Sequence, residues 1–150
     1  PMLLPLVRGL LRLRRREPGF GQPTFFHGTP VEPGGLDDLT WFRADGGQMT
    51  QQDWHSPAVR TLGMFLAGSA IRAAAADGGR RYGASHYVVL HTGGDDAEVC
   101  LPGAPWARCY TPRLDTAADD LGGLLDPRPA VPAETLVAVR GRSVLLFRAE

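Results

Sequence analysis

The chain has 150 residues, 43% of them hydrophobic, enough to bury one core with or without a fragment of a neighbouring domain. Sixteen basic and sixteen acidic residues cancel, which removes the electrostatic reason to expect nucleic acid or an anionic membrane as a partner. All sixteen basic residues are Arg, while Lys and Asn are absent, a bias that reads as the codon usage of a GC-rich bacterium rather than as a functional signal.

In chain order, the first element is a helix. Leu3, Leu6, Val7, Leu10 and Leu13 recur on one face, Pro5 is tolerated in a first turn and Pro18-Gly19 ends the pattern, so the spacing predicts a helix from about Met2 to Arg16. Its apolar part precedes its basic cluster, the reverse of a secretory signal, and Arg8 and Arg12 interrupt it too often for a membrane span. A helix docked on a core is preferred over one lying on a membrane surface. The chain opens at Pro1 instead of Met, and a piece of a longer polypeptide is expected. If the core this helix evolved against is elsewhere, the isolated chain is expected to fold it back on its own sheet or to bury it in a homodimer.

The next informative stretch runs from Trp41 to Trp54. Asp45-Gly46-Gly47 joins a side chain that bonds its own backbone to residues free to take positive φ, so the chain should reverse there. Thr50 and Asp53 have the spacing of a capping box with Asp in place of Glu, and they predict a short helical turn that Pro57 forbids from continuing. Beyond Val59 the pattern changes to strands punctuated by Gly and Pro. The expected strands are 61–66, 85–91, 97–101, 107–110, 135–140 and 143–147, with 39–42 making about seven. Thr92 to Asp96 reads as a hairpin turn, and the Asp-, Gly- and Pro-rich stretch from Thr116 to Pro132 as an irregular surface loop. With no helix among them to make parallel crossovers, these strands predict a mainly β fold, an antiparallel β-sandwich preceded by one amphipathic α-helix.

No catalytic set emerges from the residues. His27, His55, His86 and His91 have no metal-ligand spacing, so neither a metal nor a cofactor is expected. No Ser lies in a Gly-x-Ser-x-Gly elbow. Cys100 and Cys109 are nine positions apart on strands expected to be neighbours; a disulfide is geometrically conceivable, and two buried thiols in a reducing cytoplasm are preferred. Asp37, Asp38, Asp45 and Asp53 cluster in sequence, but in loop and cap contexts that lower a carboxyl pKa, opposite to what a general acid needs. Trp41, Trp54 and Trp106 offer flat faces on which a glucose ring could stack; the ordinary reading makes them core or seam residues.

The double-tryptophan segment also resembles a signature. Trp41, Asp45-Gly46, Met49, Asp53-Trp54 and the intervening spacing are similar to a Trp-x-x-x-Asp-Gly-x-x-Met-x-x-x-Asp-Trp run that bacterial glycogen debranching enzymes and isoamylase-type glycoside hydrolases of the α-amylase superfamily carry just after their catalytic barrel. Phe25-Phe26-His27-Gly28 upstream and the run Arg60 to Gly68, Leu101-Pro102, Trp106, Leu114-Asp115-Thr116 and Arg142-Ser143-Val144 downstream resemble further landmarks in the same order. Glu17-Pro18 and His91-Thr92-Gly93 depart from the pattern without breaking its register. The resemblance implies three parts: residues 1–20 as the last helix of a missing barrel, 21–58 as a connecting segment with Asp45, Gly46, Met49, Thr50 and Asp53 in structural roles, and 59–150 as a C-terminal β-sandwich. It implies a cytoplasmic non-catalytic region, inactive alone, whose natural partner is the absent barrel and whose contact with α-glucan (glycogen or maltooligosaccharide) would be weak. The barrel motifs bearing an Asp nucleophile and a Glu acid/base are not in this chain. The alternatives are a stand-alone carbohydrate-binding module and a structural or interaction domain from a truncated gene.

Overall fold

The computed structural model describes residues 3–71, 78–79, 81–118 and 128–150. An N-terminal helix, α1 (Leu3–Arg16), is followed by a 3-10 turn, Pro18–Gly21, and then by an antiparallel β-sandwich. Its strands are β1 (Leu39–Phe42), β2 (Thr61–Leu66), β3 (Ser85–His91), β4 (Ala97–Cys100), β5 (Cys109–Asp115), β6 (Val131–Pro132), β7 (Leu136–Val139) and β8 (Ser143–Ala149). A one-turn helix, α2 (Gln51–Trp54), lies between β1 and β2. Six strands form one sheet in the order β1-β2-β3-β8-β5-β6, and β4 pairs with β7 in a second.

Period-two alternation decides which face meets which layer. On β2, β3 and β8 the residues Phe65, Tyr87, Val89, Leu145, Phe147 and Ala149 point inward and are buried, and Val99 and Val139 of the small sheet close over them. The alternate residues, including Leu62, Met64, Val88, Leu90 and Val144, form an outer face that stays half-buried. Against this outer face α1 covers only one strip. Phe20, carried by the 3-10 turn, packs on His86 with ring centroids 4.5 Å apart and the rings tilted at 47°.

The expected hairpin at Thr92–Asp96 is instead a crossover between layers, because β3 belongs to the six-stranded sheet and β4 to the two-stranded one. Gly141-Arg142 makes the return crossover from β7 to β8. The two crossovers are laced: the Arg142 amide donates to the Gly93 carbonyl (2.8 Å) and the Gly141 amide to the Asp96 carboxylate (3.0 Å). Since β3 pairs with β8 and β4 with β7, the four strands form one long antiparallel ribbon folded over on itself. Two other expectations need correction. The strand expected at 107–110 begins at Cys109 and continues to Asp115, and the stretch expected to be irregular from Thr116 to Pro132 contributes β6, which pairs Val131 and Pro132 with Tyr110 and Cys109. Residues 119–127 of that stretch lie outside the described residues. Cys100 and Cys109 sit in different sheets rather than on paired strands, and both are free, half-buried thiols.

Candidate functional site

The double-tryptophan segment folds as a hairpin turn followed by a capped helical turn. The Arg43 amide donates to the Gly47 carbonyl (2.7 Å), the Gly46 amide to the Arg43 carbonyl (3.1 Å) and the Met49 amide to the Trp41 carbonyl (2.9 Å). Asp45 Oδ1 accepts from the Gly47 amide at 2.9 Å, and Gly46 takes φ +83°, the conformation that its missing Cβ permits. A Cβ on Gly46 would also press on Cys100, 3.3 Å away, where the Cys100 amide donates to the Ala44 carbonyl (2.8 Å). The turn is thus pinned to the rim of the small sheet.

Thr50 and Asp53 form the expected capping box. The Asp53 amide donates to Thr50 Oγ1 (3.3 Å), and Asp53 Oδ2 accepts from the Thr50 amide (2.8 Å) and hydroxyl (2.7 Å). The Arg43 guanidinium ties the two motifs together, donating to both Asp45 oxygens from 3.1 to 3.3 Å and reaching Asp53 Oδ2 at 3.4 Å. Electrostatics follow from these bonds. The Asp45 carboxyl is held below its ordinary range by the Arg43 hydrogen bonds and the Gly47 amide, and Asp53 by the Thr50 hydroxyl and amide. Both remain ionised near neutrality, so neither can donate a proton to a glycosidic oxygen.

The three tryptophans do not make one platform. Trp41 and Trp54 meet edge to face on the outer side, centroids 5.5 Å apart at 84°, with Trp54 46% exposed. Trp106 packs edge-on against Phe42, centroids 4.9 Å apart, at the margin of the inner core. Trp106 thus has a core duty, Trp41 lies half-buried on the outer face, and of the three only Trp54 is exposed.

Two positions were not singled out by their true roles in the sequence. Asp38, expected to be a loop residue, is 1% exposed; its carboxylate accepts from the amides of His27 (3.0 Å) and Gly28 (2.8 Å), fastening the Phe25-Phe26-His27-Gly28 segment to the sandwich. Gly28 itself takes φ +65° where its amide meets that carboxylate. His91 bridges Thr61 Oγ1 (2.7 Å, Nδ1) and the Asp95 carbonyl (2.8 Å, Nε2), holding the start of β2 to the first crossover. Among the described residues no group of three or more His, Cys, Asp or Glu is placed to hold a metal ion, and no helix is long and apolar enough to cross a membrane.

No protein-family model matches the chain. It is similar over 147 residues to proteins described as glycogen operon protein GlgX homolog from Mycobacterium bovis and from two strains of Mycobacterium tuberculosis, at 32% identity in each case. The match takes in 97% of this chain but 20% of each relative, so the chain spans about a fifth of the length of the curated proteins it matches.

Proposed function

We propose that this chain, which is similar along nearly its whole length to one fifth of the mycobacterial GlgX homologues, is the C-terminal, non-catalytic β-sandwich region of a bacterial, cytoplasmic glycogen-debranching glycoside hydrolase. The 32% identity over 147 residues carries the reading. The geometry supports it: the carboxylates gathered in the signature segment are committed to a turn, a cap and Arg43, and both are driven toward the ionised form. Hydrolysis of α-1,6 branch points by two carboxyl groups would belong to a preceding catalytic barrel, with this region as its intramolecular partner. The test joins this chain to the part of the Mycobacterium tuberculosis relative that lies outside the matched fifth and measures reducing ends released from branched glucan. Activity in the joined polypeptide and none in the isolated chain is expected. Branch-point cleavage by the isolated chain would overturn the reading.

The half-exposed Trp54 favours one second reading, a carbohydrate-binding module. That reading requires a shift in tryptophan emission on adding maltooligosaccharide to millimolar concentration, and its loss in Trp54→Ala. An unchanged spectrum removes it.

A further inference from the structure

Trp54 does not stand alone: the Arg43 guanidinium links it to a pocket. The indole is 46% exposed on α2, a turn fixed at its start by the Thr50–Asp53 cap and braced by the edge-to-face contact with Trp41. Its ring is therefore held before a ligand arrives, and little rotamer freedom is lost on stacking. The adjacent Asp53 carboxylate meets the Arg43 guanidinium at 3.4 Å. Arg43 is in turn a wall of a pocket of about 280 Å³, whose other walls include Ala44, Ala58, Val59, Arg60 and Thr61. The segment from Ala58 to Thr61 follows Trp54 by only a few residues, so platform and pocket adjoin.

The lining suits a polyhydroxylated ring. Ala58 and Val59 offer apolar surface to C–H groups, and two guanidinium groups offer planar donors to hydroxyl oxygens. Arg43 is committed to Asp45 and Asp53, but the Asp45 side chain is 64% exposed, so its carboxylate can still accept from a hydroxyl. Among the described residues Arg60 has no carboxylate partner; it donates through Nη1 to the Pro57 and Val59 carbonyls, which leaves its other N–H groups for a ligand. A simple anion is a poorer match, because Arg43 is already neutralised and Asp95 and Asp96 border the wall residue Ala97. Shape then decides between glucans. A flat β-1,4 chain stacks on coplanar rings in a row, whereas Trp41 and Trp54 stand at 84° and of the two only Trp54 is exposed. A curved α-1,4 chain turns successive rings out of one plane, so one ring lies on Trp54 while the next enters the pocket.

We propose that Trp54 and the Arg43–Arg60 pocket form two adjoining subsites for consecutive glucose units of an α-1,4-glucan chain, an inference that deepens the reading of Trp54 as a sugar platform and rests on it. Such a site adds hold on a chain and takes no part in bond cleavage. The experiment follows the Trp54 indole and the amides of Ala58 to Thr61 by heteronuclear NMR while the chain is titrated with glucose, maltotriose or cellotriose. Maltotriose should move both sets of signals together, and glucose should need at least about a tenfold higher concentration, since a single ring fills one subsite at a time. Cellotriose should leave the Ala58 to Thr61 amides unmoved. Arg60→Ala should weaken maltotriose binding at least about fivefold, the loss of one hydrogen bond from a charged donor. Trp54→Ala should abolish measurable binding. Both positions are exposed, and an unchanged urea midpoint verifies that the variants fold. Shifts confined to the Trp54 indole, with Arg60→Ala binding as tightly as the native chain, overturn the second subsite and leave the platform reading standing. No shift anywhere overturns both. Equal movement of the Ala58 to Thr61 amides with cellotriose overturns the assignment to an α-1,4 chain. Debranching by the joined polypeptide is measured independently of these titrations, so the parent enzyme stands or falls separately.

Discussion

His86 is the residue whose environment makes the clearest solution prediction. Burial, together with Arg148 on β8 and Arg113 on β5, pushes its pKa from 6.5 to about 4, while its ring packs against Phe20. An unfolded chain therefore takes up a proton below pH 6.5 that the folded chain refuses until about pH 4, so the stabilisation is fully present above 6.5 and is lost as pH falls through that window. The loss should be on the order of 3 kcal/mol. Urea midpoints measured from pH 7 down to 4 should show the slope in the native protein and its disappearance in His86→Leu. Asp45 and Asp53 act lower: their depressed carboxyls contribute stability above the ordinary 3.8 and lose it only as pH falls below that value. Thr50→Ala removes a cap and should cost about 1 kcal/mol, with a weakened near-ultraviolet signal from the Trp41–Trp54 pair. That cap is legible in the sequence because its partners are three residues apart. Asp38 is not, because the amides it satisfies lie ten and eleven positions upstream, where only the fold brings them close.

Among the elements, β2 and β3 meet most tightly where Gly63 faces the ring of Tyr87. A Cβ at Gly63 would overlap the Tyr87 hydroxyl, and that hydroxyl is buried with no hydrogen-bond partner among the described residues. Gly63→Ala should therefore destabilise the sheet by about 1 to 3 kcal/mol, and Tyr87→Phe should restore part of the loss in the double variant. A thermal or urea unfolding cycle on the four proteins checks it; strict additivity would contradict the contact. Tyr110, by contrast, donates its hydroxyl to the Pro102 carbonyl at 2.7 Å and should not tolerate Phe as well. Strands β2, β3 and β8 are readable from alternation because one face of each is buried. The extension of β5 is not, since Pro112, Arg113 and Asp115 break the alternation at a bulge between Pro112 and Leu114. Nor is β6, two residues long and ending in Pro132, which a sheet accepts at its edge. The turn at Thr92–Asp96 has hairpin composition, yet composition is the same whether the next strand returns in the same sheet or passes to the other.

For the molecule as a whole, α1 is the part that the remainder least needs. Its apolar face was legible from spacing, but spacing cannot say what a face meets: Leu6 and Leu13 are half-buried while Leu3, Val7 and Leu10 stay exposed. Deleting residues 1–16 should leave a cooperative unfolding transition shifted by only a few degrees, provided Phe20 remains to cover His86. Loss of the transition would mean that α1 is integral to the sandwich.

The position of β8 bears on how such a chain is made. It is the latest strand in sequence, yet it lies in the middle of the large sheet, joining β1-β2-β3 on one side to β5-β6 on the other, and it continues the ribbon that carries β7 across to the small sheet. A polypeptide leaving the ribosome at about 5 to 20 residues per second therefore holds two unconnected half-sheets, with Tyr87, Val89 and Tyr110 exposed, until Ser143–Ala149 emerges. Closure of the core waits for that strand, and the interval before it arrives is when chaperones would have most to protect.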